Sequence, residues 1–277
     1  LSKVIDVHLH CSELADDELI RYANFNGLEY SLSELLELMD KNGVERGLLL
    51  SPPTKGGSIA PNSRIVELCR KSKSKLFPVL TAEPSKDEVS SVLKTAKENE
   101  GYVKGFKVRL GYVQVFADDQ VFNPLYDYAE SNGLPVMFHT GDTAFSDGSL
   151  VHAHPLTLDR LANKHQNLKI VVCHFGNPWM SDVGELIYKH ANVYADISGL
   201  VAGEGGKYSE LYLESLAAKI SDAIYFAGGC EKVLFGTDYP VETFSAGLRL
   251  VEHLRIEKDD IDKILYKNAL GVFFSGH

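Results

Sequence analysis

Apolar and polar positions follow two rhythms along the chain. Short runs rich in β-branched residues recur at 4–10 (VIDVHLH), 44–50 (VERGLLL), 76–81 (LFPVLT), 103–109 (VKGFKVR), 135–139 (PVMFH), 170–174 (IVVCH), 193–198 (VYADIS) and 233–238 (VLFGTD). They read as eight strands. Between them the spacing turns helical: over 31–43, Leu32, Leu35, Leu36 and Met39 share one face and Gly43 supplies the stop. The same spacing predicts helices over 63–72, 86–98, 124–133, 155–165 and 184–191, with a last amphipathic helix over 259–274. Successive strands begin about 33 residues apart, room for a strand, a helix and two loops. Such alternation predicts an α/β fold with a covered parallel sheet, and eight units close into a single (β/α)8 TIM barrel. An open doubly wound sheet is the alternative, weakened because no G-x-G-x-x-G follows the first strand. The longer insertions, 11–30, 111–121, 140–154 and 199–206, all follow strands, on the side where a barrel builds its active site. No linker or charge block divides the chain, so one domain over 1–277 is expected.

Composition narrows the partners. The 277 residues carry 28 Lys and Arg against 38 Asp and Glu, a net charge of −10, which offers no basic field to nucleic acid or to an anionic membrane. No apolar run approaches the ~18 residues of a membrane span. Cys11, Cys69, Cys173 and Cys230 form no C-x-x-C pair, and no basic-then-apolar leader opens the sequence. A reducing, cytoplasmic setting is the expectation, with a small molecule as partner and homo-oligomerisation left open.

Chemistry gathers at the strand ends. In the first strand, Ile5, Val7 and Leu9 alternate with Asp6, His8 and His10. The apolar set is expected to meet the helices, leaving both histidines inside the barrel about 6.7 Å apart, close enough to share one metal. Alone, H-x-H is weak evidence, since a buried histidine is usually satisfied by a carbonyl. His139, His174 and Asp238 also end strands, however, and the five together point to a metal centre. On the fourth strand Lys107 and Arg109 point inward. Lys107 reads as a substrate contact or as a lysine paired with Asp6 or Asp196; Arg109 reads as a fork for a substrate anion or as a solvated loop residue. Ser198 is a candidate for binding substrate hydroxyls, and Asp196 for supporting a neighbouring histidine. Trp179 is a candidate pocket wall or a core anchor. His152 and His154 read as loop histidines, and Cys11 as a packed side chain.

The stretches IDVHLH, GFKVRLGY, LPVMFHTGD, IVVCHFGNPW, NVYADISG and VLFGTDYP, with KNALGVF near the end, cover nearly the whole chain in order. Through them it resembles the metal-dependent amidohydrolase superfamily, and within it the amidohydrolase-2 branch of aminocarboxymuconate semialdehyde decarboxylase-like enzymes and small lactonases. The resemblance implies that His8, His10, His139 and Asp238 surround one divalent ion, zinc by preference, with manganese or cobalt compatible. A second ion held by a carboxylated Lys107 is the alternative. It further implies attack of metal-activated water on an amide, ester or lactone of a small anionic or hydroxylated substrate. Asp238 would take the proton, His174 would orient the water or polarise the carbonyl, and Lys107, Arg109, Trp179 and Ser198 would contact substrate. The alternative activity is non-oxidative decarboxylation of a carboxylated aromatic or enoic acid.

Overall fold

The computed structural model describes residues 3–14, 17–52, 61–202 and 209–275. Each of the eight apolar runs contains a strand: β1 (Val4–Leu9), β2 (Val44–Leu49), β3 (Leu76–Thr81), β4 (Gly105–Val108), β5 (Val136–Phe138), β6 (Ile170–Val172), β7 (Val193–Asp196) and β8 (Val233–Leu234). They form one sheet in sequence order, and every neighbouring pair is parallel. The first and last strands meet through backbone bonds. Val7 N donates to Phe235 O (3.0 Å), His10 N to Tyr239 O (3.0 Å) and Asp238 N to His8 O (2.8 Å). That closure makes the sheet a TIM barrel and sets the β1 histidines beside the β8 aspartate.

The intervening helices are α1 (Asp17–Phe25), α2 (Leu32–Lys41), α3 (Asn62–Lys71), α4 (Lys86–Glu98), α5 (Asn123–Ser131), α6 (Leu150–Ala153), α7 (Leu158–Lys164), α8 (Met180–Lys189), α9 (Ser209–Ala227), α10 (Phe244–His253) and α11 (Lys258–Asp262). Local chemistry fixes several starts. Ser31 caps α2 by accepting from Glu34 N, while Glu34 Oε2 reaches back to accept from Tyr30 N (2.8 Å), one residue before the cap. The stretch 155–165 divides into a 3-10 turn (Pro155–Thr157) and α7, and the expected tail helix continues past α11 with wider, π-type turns over Lys263–Lys267 and Leu270–Phe274. Of the insertions, 11–30 carries α1 and 140–154 carries α6, while 199–206 is described only as far as 202.

Two apolar clusters separate the layers. Leu9, Leu49, Leu80, Phe106, Val108, Phe138 and Val172 pack with the helices. Ile5, Val7, Leu48, Val79, Met137, Val171 and Leu234, one or two from each of six strands, pack with Ala269, Val272 and Phe273 of the C-terminal segment. This corrects one expectation. Ile5 and Val7 do not meet the helices but fill the barrel interior, while Leu9 does meet them. The register of β1 against β2 is irregular between Asp6 and Leu9, which lets Val7 and the two histidines all serve the inner side.

Candidate metal centre and active site

His8 and His10, both 2% exposed, meet Asp238 at the closure of β1 on β8. His10 Nε2 lies 2.9 Å and His8 Nε2 3.4 Å from Asp238 Oδ1. One ligand atom from each of the three falls within 4.8 Å of the others. The far side of each ring decides what faces the carboxylate. His10 Nδ1 lies 2.8 Å from the Leu50 carbonyl, which can only accept, so Nδ1 carries the proton and Nε2 presents a lone pair. His8 Nδ1 lies 3.3 Å from Asp196 Oδ2 and 3.1 Å from Ser198 Oγ, and donates there. Burial also pushes His8 down to about 4, so its ring is neutral at pH 7. Two imidazole lone pairs thus converge on a carboxylate oxygen, an arrangement of three acceptors that a divalent cation satisfies.

Electrostatics agree with that donor set. The Asp238 carboxyl stays well below the usual range although burial opposes its charge. Asp196 is likewise kept ionised against burial, chiefly by its hydrogen bond with His8. It accepts from His174 N (2.9 Å), Ser198 N (3.1 Å) and Ser198 Oγ (2.5 Å), tying β6, β7 and β1 together. Asp6, raised to about 8 by burial, accepts from His8 N (2.9 Å) and Thr237 Oγ1 (2.7 Å) and joins β1 to the turn after β8.

His174 follows β6 with φ of 59°, ahead of Phe175 at 46° and Gly176 at 58°. This left-handed turn carries the imidazole over the barrel mouth, where Nδ1 donates to Ser198 O (3.1 Å) and Nε2 is left with its lone pair. Its ring centroid is 4.9 Å from those of both His8 and His139. His139 donates from Nε2 to Asp142 O (2.9 Å), which leaves Nδ1 as its lone-pair nitrogen. It stands outside the three-ligand group, and a second group, His8, His174 and Asp196, shares His8 with the first. Gly199 has φ of +67°, and a Cβ there would lie 2.9 Å from Asp238 Oδ2, so only glycine lets the β7 loop wall the carboxylate.

A cleft of about 140 Å³ opens above these groups, lined by Tyr22, Tyr112, His139, Asp142, Asn177 and Asp238 among others. A smaller chamber of about 40 Å³ reaches inward to His8, His10, Ser51, Lys107 and Arg109. Lys107, on the inward phase of β4 as expected, donates to Cys173 Sγ at 2.9 Å. Arg109 is also inside, but its guanidinium is held by Glu83: Nε and Nη2 lie 3.1 and 2.9 Å from the same Oε1. Ser198 buttresses the imidazoles rather than lining either cavity. Trp179 lines neither; it stands at the N-terminus of α8 without a capping side-chain bond and sits 4.6 Å, ring to ring, from His154. His152 hydrogen-bonds Ser149 Oγ (2.7 Å) away from the metal candidates. Sequence reasoning missed Glu83, Tyr112 and Asp142. Glu83 had a faint signal, since it follows β3 as the other polar residues follow their strands.

The amidohydrolase family model matches residues 5–274. No curated protein sequence matches the chain. Among solved structures, an uncharacterised TIM-barrel protein from Bordetella bronchiseptica superposes with a TM-score of 0.76 at 20% identity, covering 98% of both chains. A protein from Pseudomonas putida, provisionally described as a 2-pyrone-4,6-dicarboxylic acid hydrolase, gives 0.70 at 19% identity, covering 99% of this chain and 98% of the other. A dihydroxybenzoic acid decarboxylase from a Polaromonas species, with bound manganese and the inhibitor 2-nitroresorcinol, gives 0.69 at 18%, covering 99% and 97%. These likenesses establish a shared barrel, and with a family match running from the first strand to the C-terminal segment, the chain belongs to the amidohydrolase family, in its amidohydrolase-2 branch.

Proposed function

We propose that the protein is a metal-dependent hydrolase acting on an amide, ester or lactone bond of a small molecule. The observation that carries this reading is the convergence of two lone-pair nitrogens, His8 Nε2 and His10 Nε2, on Asp238 Oδ1 at the floor of a cleft. These three would hold one divalent ion, with His139 completing the set through Nδ1. A divalent ion bound there acidifies water and polarises a carbonyl oxygen. Asp238 accepts the water proton at Oδ2, the oxygen turned toward Gly199. His174 Nε2 orients the attacking water, its tautomer set by the bond from Nδ1 to Ser198 O. Tyr112 and Asn177 wall the cleft and position substrate. Zinc suits the borderline nitrogen and oxygen donors, while manganese in the decarboxylase neighbour keeps that metal in view. Four buried free cysteines fit a reducing, cytoplasmic setting.

A second reading, non-oxidative decarboxylation of a carboxylated aromatic, is favoured by the decarboxylase among the structural neighbours. Elemental analysis of the purified protein, coupled to parallel assays of acid release from lactones and carbon dioxide release from carboxylated aromatics, decides between them. Lactone turnover with about one ion per chain is the expected result. Carbon dioxide release without lactone turnover would transfer the assignment to the second reading.

A further inference from the structure

Arg109 is the residue a carboxylated substrate would be expected to seek, yet its Nε edge is already taken. A guanidinium can meet a carboxylate across its two terminal nitrogens or along the edge of Nε and one of them. In this chain Nε and Nη2 donate to Glu83 Oε1, at 3.1 and 2.9 Å, and Nη1 points toward Pro52 O at 3.4 Å. Lys107, the other cation lining the inner chamber among the described residues, is bonded to Cys173 Sγ. The cleft above carries Asp142 at its exposed rim. Ser51 lines the same inner chamber, and its Oγ is buried with no hydrogen-bond partner among the described residues. A buried hydroxyl without a partner is costly unless a ligand supplies one.

Resting on the hydrolase reading above, we propose that Glu83 is a specificity-determining residue: it neutralises Arg109 and makes the inner chamber select an uncharged hydrogen-bonding group, a hydroxyl, carbonyl or amide met by Ser51, in place of a carboxylate. A carboxylate entering the chamber would have to displace Glu83 from a half-buried ion pair and compete with it for the one guanidinium. The expected substrate class is therefore a neutral, hydroxylated or carbonyl-bearing lactone or ester, not a dicarboxylate.

The test holds the metal-binding end of a ligand constant and varies only the far end. Calorimetry on zinc- or manganese-loaded protein compares the monohydroxamate of succinic acid, which keeps a free carboxylate, with the same hydroxamate ending in a primary amide. The wild-type protein is expected to bind the amide about tenfold more tightly. Glu83→Gln should reverse that preference, and Glu83→Gln combined with Arg109→Gln should return it toward the wild-type ratio. Ser51→Ala should weaken the amide probe by roughly three- to tenfold, the range of one hydrogen bond, and the carboxylate probe less. Tighter binding of the carboxylate by the wild-type protein would overturn the proposal, and that comparison needs no substitution, so it stands even where Glu83→Gln fails to fold. An unchanged ratio in folded Glu83→Gln protein would overturn it as well. Failure of both hydroxamates to bind would overturn the metal-centre reading itself and this proposal with it.

Discussion

Asp238 has two oxygens with different neighbours, and the distinction is testable. Oδ1 faces His8 and His10, whereas Oδ2 faces the Gly199 backbone and the cleft. Asparagine can keep an oxygen toward the ion but has almost no basicity. Asp238→Asn should therefore retain much of the metal while turnover falls by ~10²-fold or more, as elemental analysis and steady-state kinetics would record. His10→Ala should instead lose the ion, because it deletes a donor whose tautomer the Leu50 carbonyl has already set. Lys107→Ala is expected to leave the metal content unchanged, since Nζ is engaged by Cys173 rather than placed among the three ligand atoms. Metal analysis showing an ion lost from Lys107→Ala would assign the lysine to the metal centre. The residue types were legible in the sequence because strand ends announce themselves. The pairing of Arg109 with Glu83 was not, because nothing local links two residues 26 positions apart.

Among the elements, the β7 loop is held by a carboxylate that the site does not use directly. Glu242, fully buried after β8, accepts from Leu200 N (3.1 Å) and Val201 N (3.4 Å), and its Oε1 has no partner among the described residues. Burial pushes its carboxyl well above the usual range. The unfolded chain ionises this group near pH ~4.3, while the folded protein resists doing so. Stability should therefore fall as pH rises above that value until the folded-state pKa is passed, with a slope of up to ~1.4 kcal/mol per pH unit from this group. Glu242→Gln should flatten that slope, so that its stability relative to the wild type improves with rising pH; chemical denaturation at several pH values measures it. A difference independent of pH would show that the group titrates alike in both states. The helices behaved unevenly as sequence signals. Over 31–43 one apolar face and a stopping glycine made α2 plain. The 19-residue α9 escaped notice because its apolar residues go all round, with Leu211, Tyr212, Tyr225 and Phe226 exposed opposite a buried set that includes Leu213, Leu216 and Ile220.

At the scale of the whole molecule, the C-terminal segment packs against the barrel interior. Ala269, Val272 and Phe273 join Ile5, Val79, Met137 and Leu234 in one cluster, so the last residues complete a core begun by the first strand. Phe273→Ala should cost about 3–5 kcal/mol, the range for truncating a buried aromatic, as a shifted denaturation midpoint would report. A loss below ~1 kcal/mol would show that the segment rests on the barrel without supporting it. The described residues contain no helix long and apolar enough to cross a membrane.

The eight-strand rhythm, its parallel order and the polar residues that end the strands were set by the sequence itself, because each depends on neighbours a few positions away: side-chain alternation, β-branching, a stopping glycine. What lies inside β1 was decided only in the folded barrel, where an irregular register turns Ile5 and Val7 inward together with the histidines. The same holds for the partners that give the site its character. Asp238 reaches His10 across 228 positions, Asp196 reaches His8 across 188, and Glu83 occupies Arg109 across a strand gap. Periodicity places a side chain on a face, but which charge meets it there depends on barrel closure, on the turn after each strand and on the space each loop leaves.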